Sequence, residues 1–293
     1  MDTGLLIQVI LSGLSVGAIY ALVAVGFGVI FNATGAINFV QGEYVMVGGL
    51  SAAMLYEAWD VPVLVAIVAA VALTVLLGVL TEFGLLGFGR LRTPASITIA
   101  TIAIAVIIKG AAMLISDRDT YALPSVLGAG SLQVWGASTS RQTVLNLLLA
   151  VVAVVALALF FQRTKLGTTL RAAAGDSETL QTFGVSYRTT ARWAFVIAAA
   201  LGAVAGAGLA PLTVMSFDSG TLLGLKGFAA AMLGGLGNPR GALAGGLMLG
   251  IAEAVMSGYG AAAYADVVAF VVLLAILTLR PTGMFGTAQA VRT

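Results

Sequence analysis

Long apolar runs recur along the whole chain and constrain its fold more than any other feature. There are nine of them, at approximately residues 5–31, 36–56, 61–88, 95–116, 143–162, 191–215, 224–236, 241–257 and 262–279. A helix of about 20 apolar residues crosses the hydrocarbon core of a bilayer. Only 9% of the 293 residues are charged, whereas a soluble domain carries roughly 25%. The sequence therefore predicts an all-α, polytopic transmembrane helical bundle of about nine spans, forming a single domain over residues 1–293.

The basic residues predict the orientation of this bundle. Five of the 14 Lys and Arg residues fall in one polar stretch near the middle of the chain: Arg163, Lys165, Arg171, Arg188 and Arg192. Cytoplasmic loops are enriched in Lys and Arg, so we expect the linker at residues 163–190 to be cytoplasmic. Counting spans outward from this linker places the N-terminus outside and the C-terminus in the cytoplasm. It also makes 117–142 the longest extracytoplasmic stretch, where we expect a small hairpin or irregular cap.

Two apolar runs are unusual and suggest an internal repeat. The run at 36–56 is interrupted by polar residues, and the run at 224–236 is short and rich in glycine. Such segments are typical of broken helices in transporters. Each half of the chain, 5–116 and 191–279, consists of a long span, a broken span and two further spans. Because one half starts outside and the other inside, the pattern predicts an inverted repeat.

The stretch AINFVQGEYVMVGG, residues 36–49, places a carboxylate within a membrane span. A central charge costs about 2.5–3.5 kcal/mol to insert, and lipid provides no hydrogen-bond partner for it. One interpretation is a discontinuous helix beside a central pathway, whose candidate residues are Asn38, Gln41, Glu43 and Glu253. The alternative is a helix-packing network in which Glu43 is hydrogen-bonded to a neighbour such as Tyr20 or Ser51.

The linker contains KLGTTLRAAAGDSETLQTFGVS, residues 165–186, which is too polar to span a membrane. Asp176 or Ser177 can cap a short helix that ends near Gly184. That helix would present Leu180 and Phe183 on one apolar side, as expected of a helix that docks a cytoplasmic partner. The alternative is an amphipathic helix that lies along the membrane interface.

Several classes of function are disfavoured by what the sequence lacks. It contains no Cys and no His, which removes thiol chemistry, disulfides and the usual zinc ligands. A net charge of +2 is too small to indicate binding to nucleic acid. No G-x-x-x-x-G-K-[ST] phosphate loop is present, so the chain is not expected to hydrolyse ATP itself. We therefore predict neither an enzyme nor a protein that carries a metal or cofactor.

Four blocks of sequence carry a family resemblance. They are INFVQGE (37–43), LRAAAGDSETLQTFGV (170–185), GLKGFAAAMLGGLGNPRGALAGGLMLGIAEA (224–254) and DVVAFVVLLAILTLRPTGMFG (266–286). Together they resemble the permeases of branched-chain amino acid ABC importers, in particular the first of the two permeases in such systems. The resemblance covers nearly the whole chain in the same order, and it implies a fold like that of type II ABC importers.

The resemblance also implies partners and a site of coupling. It implies a bacterial inner-membrane subunit that pairs with a second, related permease, two cytoplasmic ATPase subunits and an extracytoplasmic solute-binding protein. ATP would be used by the partner subunits only. The loop that contacts the ATPases in the family matches Leu170, Arg171, Ala172, Gly175, Asp176 and Gly184. By this resemblance, closure of the ATPases would push on residues 170–184 and rock one helix bundle against the other.

The solute and the energy source are separate questions. The family often has His where this chain has Gln41, and the wider group of permeases also takes other amino acids, amides, urea and aromatic acids. An ion-coupled secondary transporter of a small solute would also show inverted repeats and buried carboxylates, and it is the alternative reading. Such a transporter would need no helix for docking a partner.

Overall fold

The computed structural model describes residues 3–87, 93–128, 130–134, 137–175, 186–260, 262–280 and 282–286. Within these ranges the helices are α1 (Thr3–Thr34), α2 (Gln41–Glu57), α3 (Val63–Leu86), α4 (Pro94–Ile115), α5 (Arg141–Arg163), α6 (Lys165–Gly175), α7 (Tyr187–Leu209), α8 (Ser219–Gly234), α9 (Pro239–Tyr259) and α10 (Ala265–Leu279). A 3₁₀ turn, Ala262–Tyr264, precedes α10. Every predicted apolar run overlaps one of these helices.

Six of the helices are long and apolar enough to cross a membrane: α1, α3, α4, α5, α7 and α9. The other three apolar helices are shorter, with 17 residues in α2, 16 in α8 and 15 in α10. The chain is therefore an all-α, polytopic membrane protein, as predicted.

One small sheet interrupts the helical architecture. Strands β1 (Ser131–Val134) and β2 (Ala137–Ser140) pair antiparallel, with Ser131 opposite Ser140. This agrees with the small hairpin or irregular cap expected in the polar stretch 117–142. The same stretch is tied to the α7–α8 connection by reciprocal backbone hydrogen bonds of 2.9 and 2.8 Å between Tyr121 and Met215.

The centre of the bundle consists of α1 and α7, which pack against each other. Helix α1 also packs along α9, α8 and α5, and α7 also packs along α2 and α3. Helices α2 and α8 contact each other, α2 packs on α3, and α8 packs on α9 and α10. Helices α3, α4 and α5 expose many large apolar side chains, such as Val68, Val106 and Val151. These helices form the apolar periphery, as expected of a body that sits in lipid.

Small residues allow the central helices to approach closely, as the glycine spacing predicts. Gly250 of α9 lies against the backbone of Gly13 and Gly17 in α1, and Gly246 lies against Ala21. None of these glycines has room for a Cβ. Close backbone approach of this kind is how helices associate in lipid, where the hydrophobic effect gives no driving force between them.

The predicted broken helices differ in detail from the structure. Helices α2 and α8 are each continuous, and the irregular backbone lies before them, at residues 35–40 and 210–218. Gly35 begins the first of these segments with a φ of 68°, a conformation that glycine adopts without a Cβ clash. The polar residues of the 36–49 stretch therefore lie in the connection to α2 and in its first turn.

The linker also differs from expectation at its start. Helix α6 follows α5 after the single extended residue Thr164, so residues 165–175 are helical, which the sequence analysis did not predict. Leu170 is buried, and Arg171, Ala172 and Gly175 lie in the last part of α6. Asp176, Leu180, Phe183 and Gly184, with the short helix predicted for them, lie outside the described residues.

Candidate functional site

The connection to α2 and the first turn of α2 together bury three of the predicted pathway residues. Asn38 and Gln41 are fully buried, and Glu43 is 4% exposed. Asn38 Oδ1 accepts a hydrogen bond from the Val40 amide at 3.2 Å, which shapes the connection as it enters the helix. The Gln41 side-chain amide donates to the carbonyl of Ala198 in α7 at 3.1 Å. The chain thus holds its polar residues at the centre of the bundle, against α7.

The same three side chains are incompletely hydrogen-bonded. Among the described residues, six buried side-chain polar atoms lack a hydrogen-bond partner, and three of the six are Asn38 Nδ2, Gln41 Oε1 and Glu43 Oε2. An unsatisfied buried polar atom costs about 1–3 kcal/mol, and more if it is charged. Three such atoms lie within six residues, which marks this stretch as the candidate site.

The beginnings of α2 and α8 meet beside Glu43. Gly42 packs against the backbone of Gly220 and Gly224 without room for a Cβ, and a Cβ on Gly220 would lie 2.6 Å from Glu43 Oε2. The N-cap residues, Val40 and Asp218, make no side-chain capping hydrogen bond. The first amide groups of a helix lack intrahelical acceptors and carry its positive dipole end. Two such ends therefore lie next to one buried carboxylate.

A lysine extends this charged region. Lys109 Nζ of α4 donates to Thr221 Oγ1 at 3.3 Å, one residue from Gly220. A cation therefore lies beside the first turn of α8. The sequence analysis did not include Lys109 in the site, although a lone lysine within an apolar run is itself a signal for a functional residue.

Glu253, the fourth predicted pathway residue, lies in a different cluster. Lys226 Nζ of α8 is 3.2 Å from both carboxylate oxygens of Glu253 and 2.7 Å from Oδ1 of Asp266. Tyr20 of α1 donates to Glu253 Oε2 at 2.7 Å, and Lys226 donates to the Tyr20 hydroxyl at 3.2 Å. This cluster ties α1, α8, α9 and α10 together.

Neither hydrogen bond expected in the packing-network alternative for Glu43 is formed. Tyr20 bonds to Glu253 instead, and Ser51 Oγ bonds to the carbonyl of Val47 in its own helix. The structure thus groups Asn38, Gln41 and Glu43 at one site and separates Glu253 from them.

A third charged cluster was not predicted from the sequence. Glu82 of α3 has a fully buried side chain, 3.4 Å from Nε of Arg188 and 3.0 Å from Nε of Arg192. Both arginines lie in the first two turns of α7, directly after the linker, and their side chains are nearly half exposed. The available signal was a single carboxylate in the run 61–88 together with the basic residues of the linker. This cluster fixes the end of the linker to α3.

The described residues contain no group of three or more His, Cys, Asp or Glu side chains that could hold a metal ion. The charged clusters above are paired carboxylates and cations, not ligand sets.

Comparisons with known proteins agree with the resemblance of the four sequence blocks. The family described as "Branched-chain amino acid transport system / permease component" matches residues 9–277. The permease protein BraD of the high-affinity branched-chain amino acid transport system of Pseudomonas aeruginosa is 34% identical, over 97% of this chain and 96% of the relative. The corresponding LivH protein of Escherichia coli K12 is 30% identical, over 97% and 96% of the two chains.

The fold is similar to that of a solved structure. PsaBC from Streptococcus pneumoniae, solved in complex with a Fab, aligns with a TM-score of 0.52 at 12% identity, over 96% of this chain and 94% of that one. An all-α membrane fold, a family match over most of the chain and relatives of equal length point to one conclusion. This chain belongs to the family of permease components of branched-chain amino acid ABC transport systems, and it is a transport permease, not an enzyme.

Proposed function

We propose that this chain forms the translocation pathway of an ATP-driven importer for branched-chain or related amino acids, and that the pathway passes the first turn of α2. The observation that carries the proposal is the group of unpaired polar atoms on Asn38, Gln41 and Glu43 beside two uncapped helix N-termini. Irregular backbone and unpaired polar groups are tolerated at membrane depth where they line a cavity or a solute path.

The depth of the site supports this role. The Gln41 side chain packs against Gly26 of α1, eight residues before the end of that helix at Thr34. At 1.5 Å per residue, this puts the start of α2 about 12 Å inside the bundle from that end. Glu43 follows half a turn later. Burying a carboxylate at this depth costs free energy, and folding of the bundle does not require a carboxylate there.

The chemistry of the site suits an amino acid. The solute carries an ammonium group and a carboxylate. The Glu43 carboxylate attracts the first, while the helix N-termini of α2 and α8 and the nearby Lys109 attract the second. Opposite charges held on neighbouring elements would replace part of the hydration that a zwitterion loses on entering the membrane. The names of the relatives identify branched-chain amino acids as the solutes to test first.

The packing pattern supports the predicted inverted repeat. If α1 to α4 correspond to α7 to α10, the contact of α1 with α9 corresponds to that of α7 with α3. In the same way, the contact of α2 with α7 corresponds to the contact of α8 with α1. The contact of α2 with α3 corresponds to the contact of α8 with α9. The pairs α1–α7 and α2–α8 map onto themselves and would lie on the pseudo-two-fold axis. Transporter sites form at such repeat interfaces, which is where Glu43 lies.

We further propose that residues 170–184 couple movement of the solute through the pathway to cytoplasmic ATPases. The complex would also contain a second related permease and an extracytoplasmic solute-binding protein. Helix α6 continues almost directly from α5, and the ion pairs of Glu82 hold the far end of the linker to α3. A push on the linker would therefore be transmitted to both sides of the bundle. This arrangement requires a cytoplasmic linker, with the N-terminus outside and the C-terminus inside.

The pathway is tested by uptake of radiolabelled leucine into proteoliposomes that contain the complete transporter. We expect Glu43→Gln to lower uptake about tenfold or more without impairing assembly, because it removes the charge that offsets the solute ammonium. The matched control is Glu57→Gln at the exposed end of the same helix, which should transport at the wild-type rate. Uptake by the Glu43 variant at the rate of this control would refute the proposed pathway.

Coupling is tested separately in the same vesicles. Deleting residues 176–183 should abolish solute-stimulated ATP hydrolysis while the permease remains folded and inserted. Unchanged stimulation would reject this role for the linker. Uptake that resists vanadate but collapses when ion gradients are dissipated would instead identify a secondary transporter.

A further inference from the structure

A large cavity lies away from the proposed pathway, at the end of the bundle that carries the linker. It measures about 1020 Å³ and opens between α5 and the turn that joins α8 to α9. Helix α1 forms its floor, since α5 packs on α1 but makes no extensive contact with α8 or α9 in the described residues. Its lining includes Leu170 of α6 and Phe285 near the C-terminus.

The lining changes from polar to apolar with depth. Near the helix ends the cavity is lined by Arg240 and Gln162, and deeper in the bundle by Val154, Val25 and Leu243. Val154 and Gln162 are eight residues apart on α5, which corresponds to about 12 Å along the helix. One leaflet of the hydrocarbon core is about 15 Å thick. The cavity thus runs from the interfacial level through most of one leaflet.

The mouth of the cavity carries a positive charge that no carboxylate of the described residues compensates. Arg240 lies in the first turn of α9 and is exposed, and it forms no ion pair with any carboxylate of the described chain. No acidic residue is found among the described residues that line the cavity. Because the N-terminus of α9 adds its own positive dipole end, the mouth favours an anion. The exposed amide of Gln162 supplies a further donor.

A ligand that matches this lining has an anionic head and an apolar body of leaflet length. We propose that the cavity binds an anionic phospholipid from the leaflet on the linker side, with its phosphate at Arg240 and one acyl chain against Val154 and Leu243. A soluble anion would occupy only the mouth and would leave the deeper, apolar part of the cavity unfilled. A zwitterionic lipid would bring an ammonium group next to the arginine. Basic pockets between transmembrane helices are suited to anionic headgroups, which are abundant in the cytoplasmic leaflet.

The proposal is tested by native mass spectrometry of the purified full-length chain, titrated with phosphatidylglycerol or phosphatidylethanolamine. The wild-type chain should retain one phosphatidylglycerol in preference to phosphatidylethanolamine. Arg240→Gln should weaken retention of phosphatidylglycerol about fivefold, which corresponds to about 1 kcal/mol for one arginine near an anionic surface. The matched control is Arg280→Gln, which removes a charge at the same end of the bundle from a residue outside the cavity lining.

A second pair of variants tests the apolar part without changing charge. Ala158 lines the cavity, whereas Val155 is exposed on α5 outside it. Ala158→Trp should reduce retention of phosphatidylglycerol at least fivefold, and Val155→Trp should leave it unchanged; melting curves show that both are folded. Equal retention of the two lipids by the wild-type chain would overturn the proposal. So would equal losses for the Arg240 and Arg280 variants, or unaltered binding to the Ala158 variant.

Discussion

Lys226 is the buried cation that pairs with the Glu253 carboxylate, so the effect of its removal can be worked out from the structure. Its ammonium is 3.2 Å from the Glu253 carboxylate, and both side chains are less than 10% exposed. With an effective dielectric constant of 20, the attraction at this distance is about 5 kcal/mol. Lys226→Met leaves that carboxylate buried with the Tyr20 hydroxyl as its remaining partner. Breaking one side of a buried pair costs about 3–5 kcal/mol, and protonation of the carboxylate limits the loss to the lower end.

The measurement is thermal unfolding of the purified chain in detergent, followed by size-exclusion chromatography. A loss of about 3 kcal/mol should lower the midpoint by roughly 6–12 °C. Asp266 is 57% exposed, so Asp266→Asn should cost less than about 1 kcal/mol despite its 2.7 Å contact. The double variant Lys226→Met, Glu253→Gln should recover part of the loss, because no uncompensated charge remains. An Asp266 variant as unstable as the Lys226 variant, or a double variant as unstable as the sum of the two single ones, would refute the reasoning.

Two further predictions test packing at other places in the bundle. Glu82→Gln should destabilise the chain by about 1–2 kcal/mol, because both arginine partners in α7 lose their counterion while remaining half solvated. The same variant should speed proteolysis of the linker. A linker cut at the wild-type rate would show that these ion pairs do not hold it. Gly206→Val should lower the free energy of unfolding by about 1–3 kcal/mol or more, and the melting midpoint with it, because its Cβ would collide with the carbonyl of Val45. Gly84→Val is the control, since nothing lies within 4 Å of a Cβ there, and equal effects at the two glycines would contradict the packing explanation.

The positions and order of the apolar helices could be predicted from the sequence because hydropathy acts locally. Of the nine predicted spans, six coincide with described helices that are long and apolar enough to cross a membrane. Every apolar run corresponds to a helix, and the polar stretch 117–142 forms the expected hairpin. Helix α6 was missed because KLGTTLRAAAG contains no apolar run. Its one local signal is Thr164 directly before it, whose Oγ1 accepts a hydrogen bond from the Gly167 amide at 2.9 Å. Leu170 is buried in α6, and it gains its apolar environment from distant parts of the chain. A single buried leucine sets no periodicity that local reasoning could detect.

The residues of the candidate site could be predicted from the sequence, but the residues that they contact could not. Polar residues in a membrane span must face protein or water, which is why Asn38, Gln41 and Glu43 could be identified as buried from sequence alone. Their neighbours depend on contacts between distant residues: Gln41 bonds to Ala198, 157 positions away. The same holds for Tyr20 and Glu253, which are 233 positions apart and bond at 2.7 Å. Periodicity carries no information about such pairs.

The two predicted carboxylates differ in how completely the protein compensates them, and this difference separates their roles. Glu253 accepts a hydrogen bond from Tyr20 and forms an ion pair with Lys226. Its Oε1 atom has no hydrogen bond, but it lies 3.2 Å from the Lys226 ammonium. A network satisfied in this way rigidifies four helices and gains nothing from a solute. Glu43 has an oxygen without a partner, next to glycines that leave the α8 backbone accessible. Folding alone would select against that arrangement, since an apolar residue at position 43 would remove the cost. In the proposed pathway, a passing solute supplies the missing partner of Glu43, and this gives a physical reason for a carboxylate at this position.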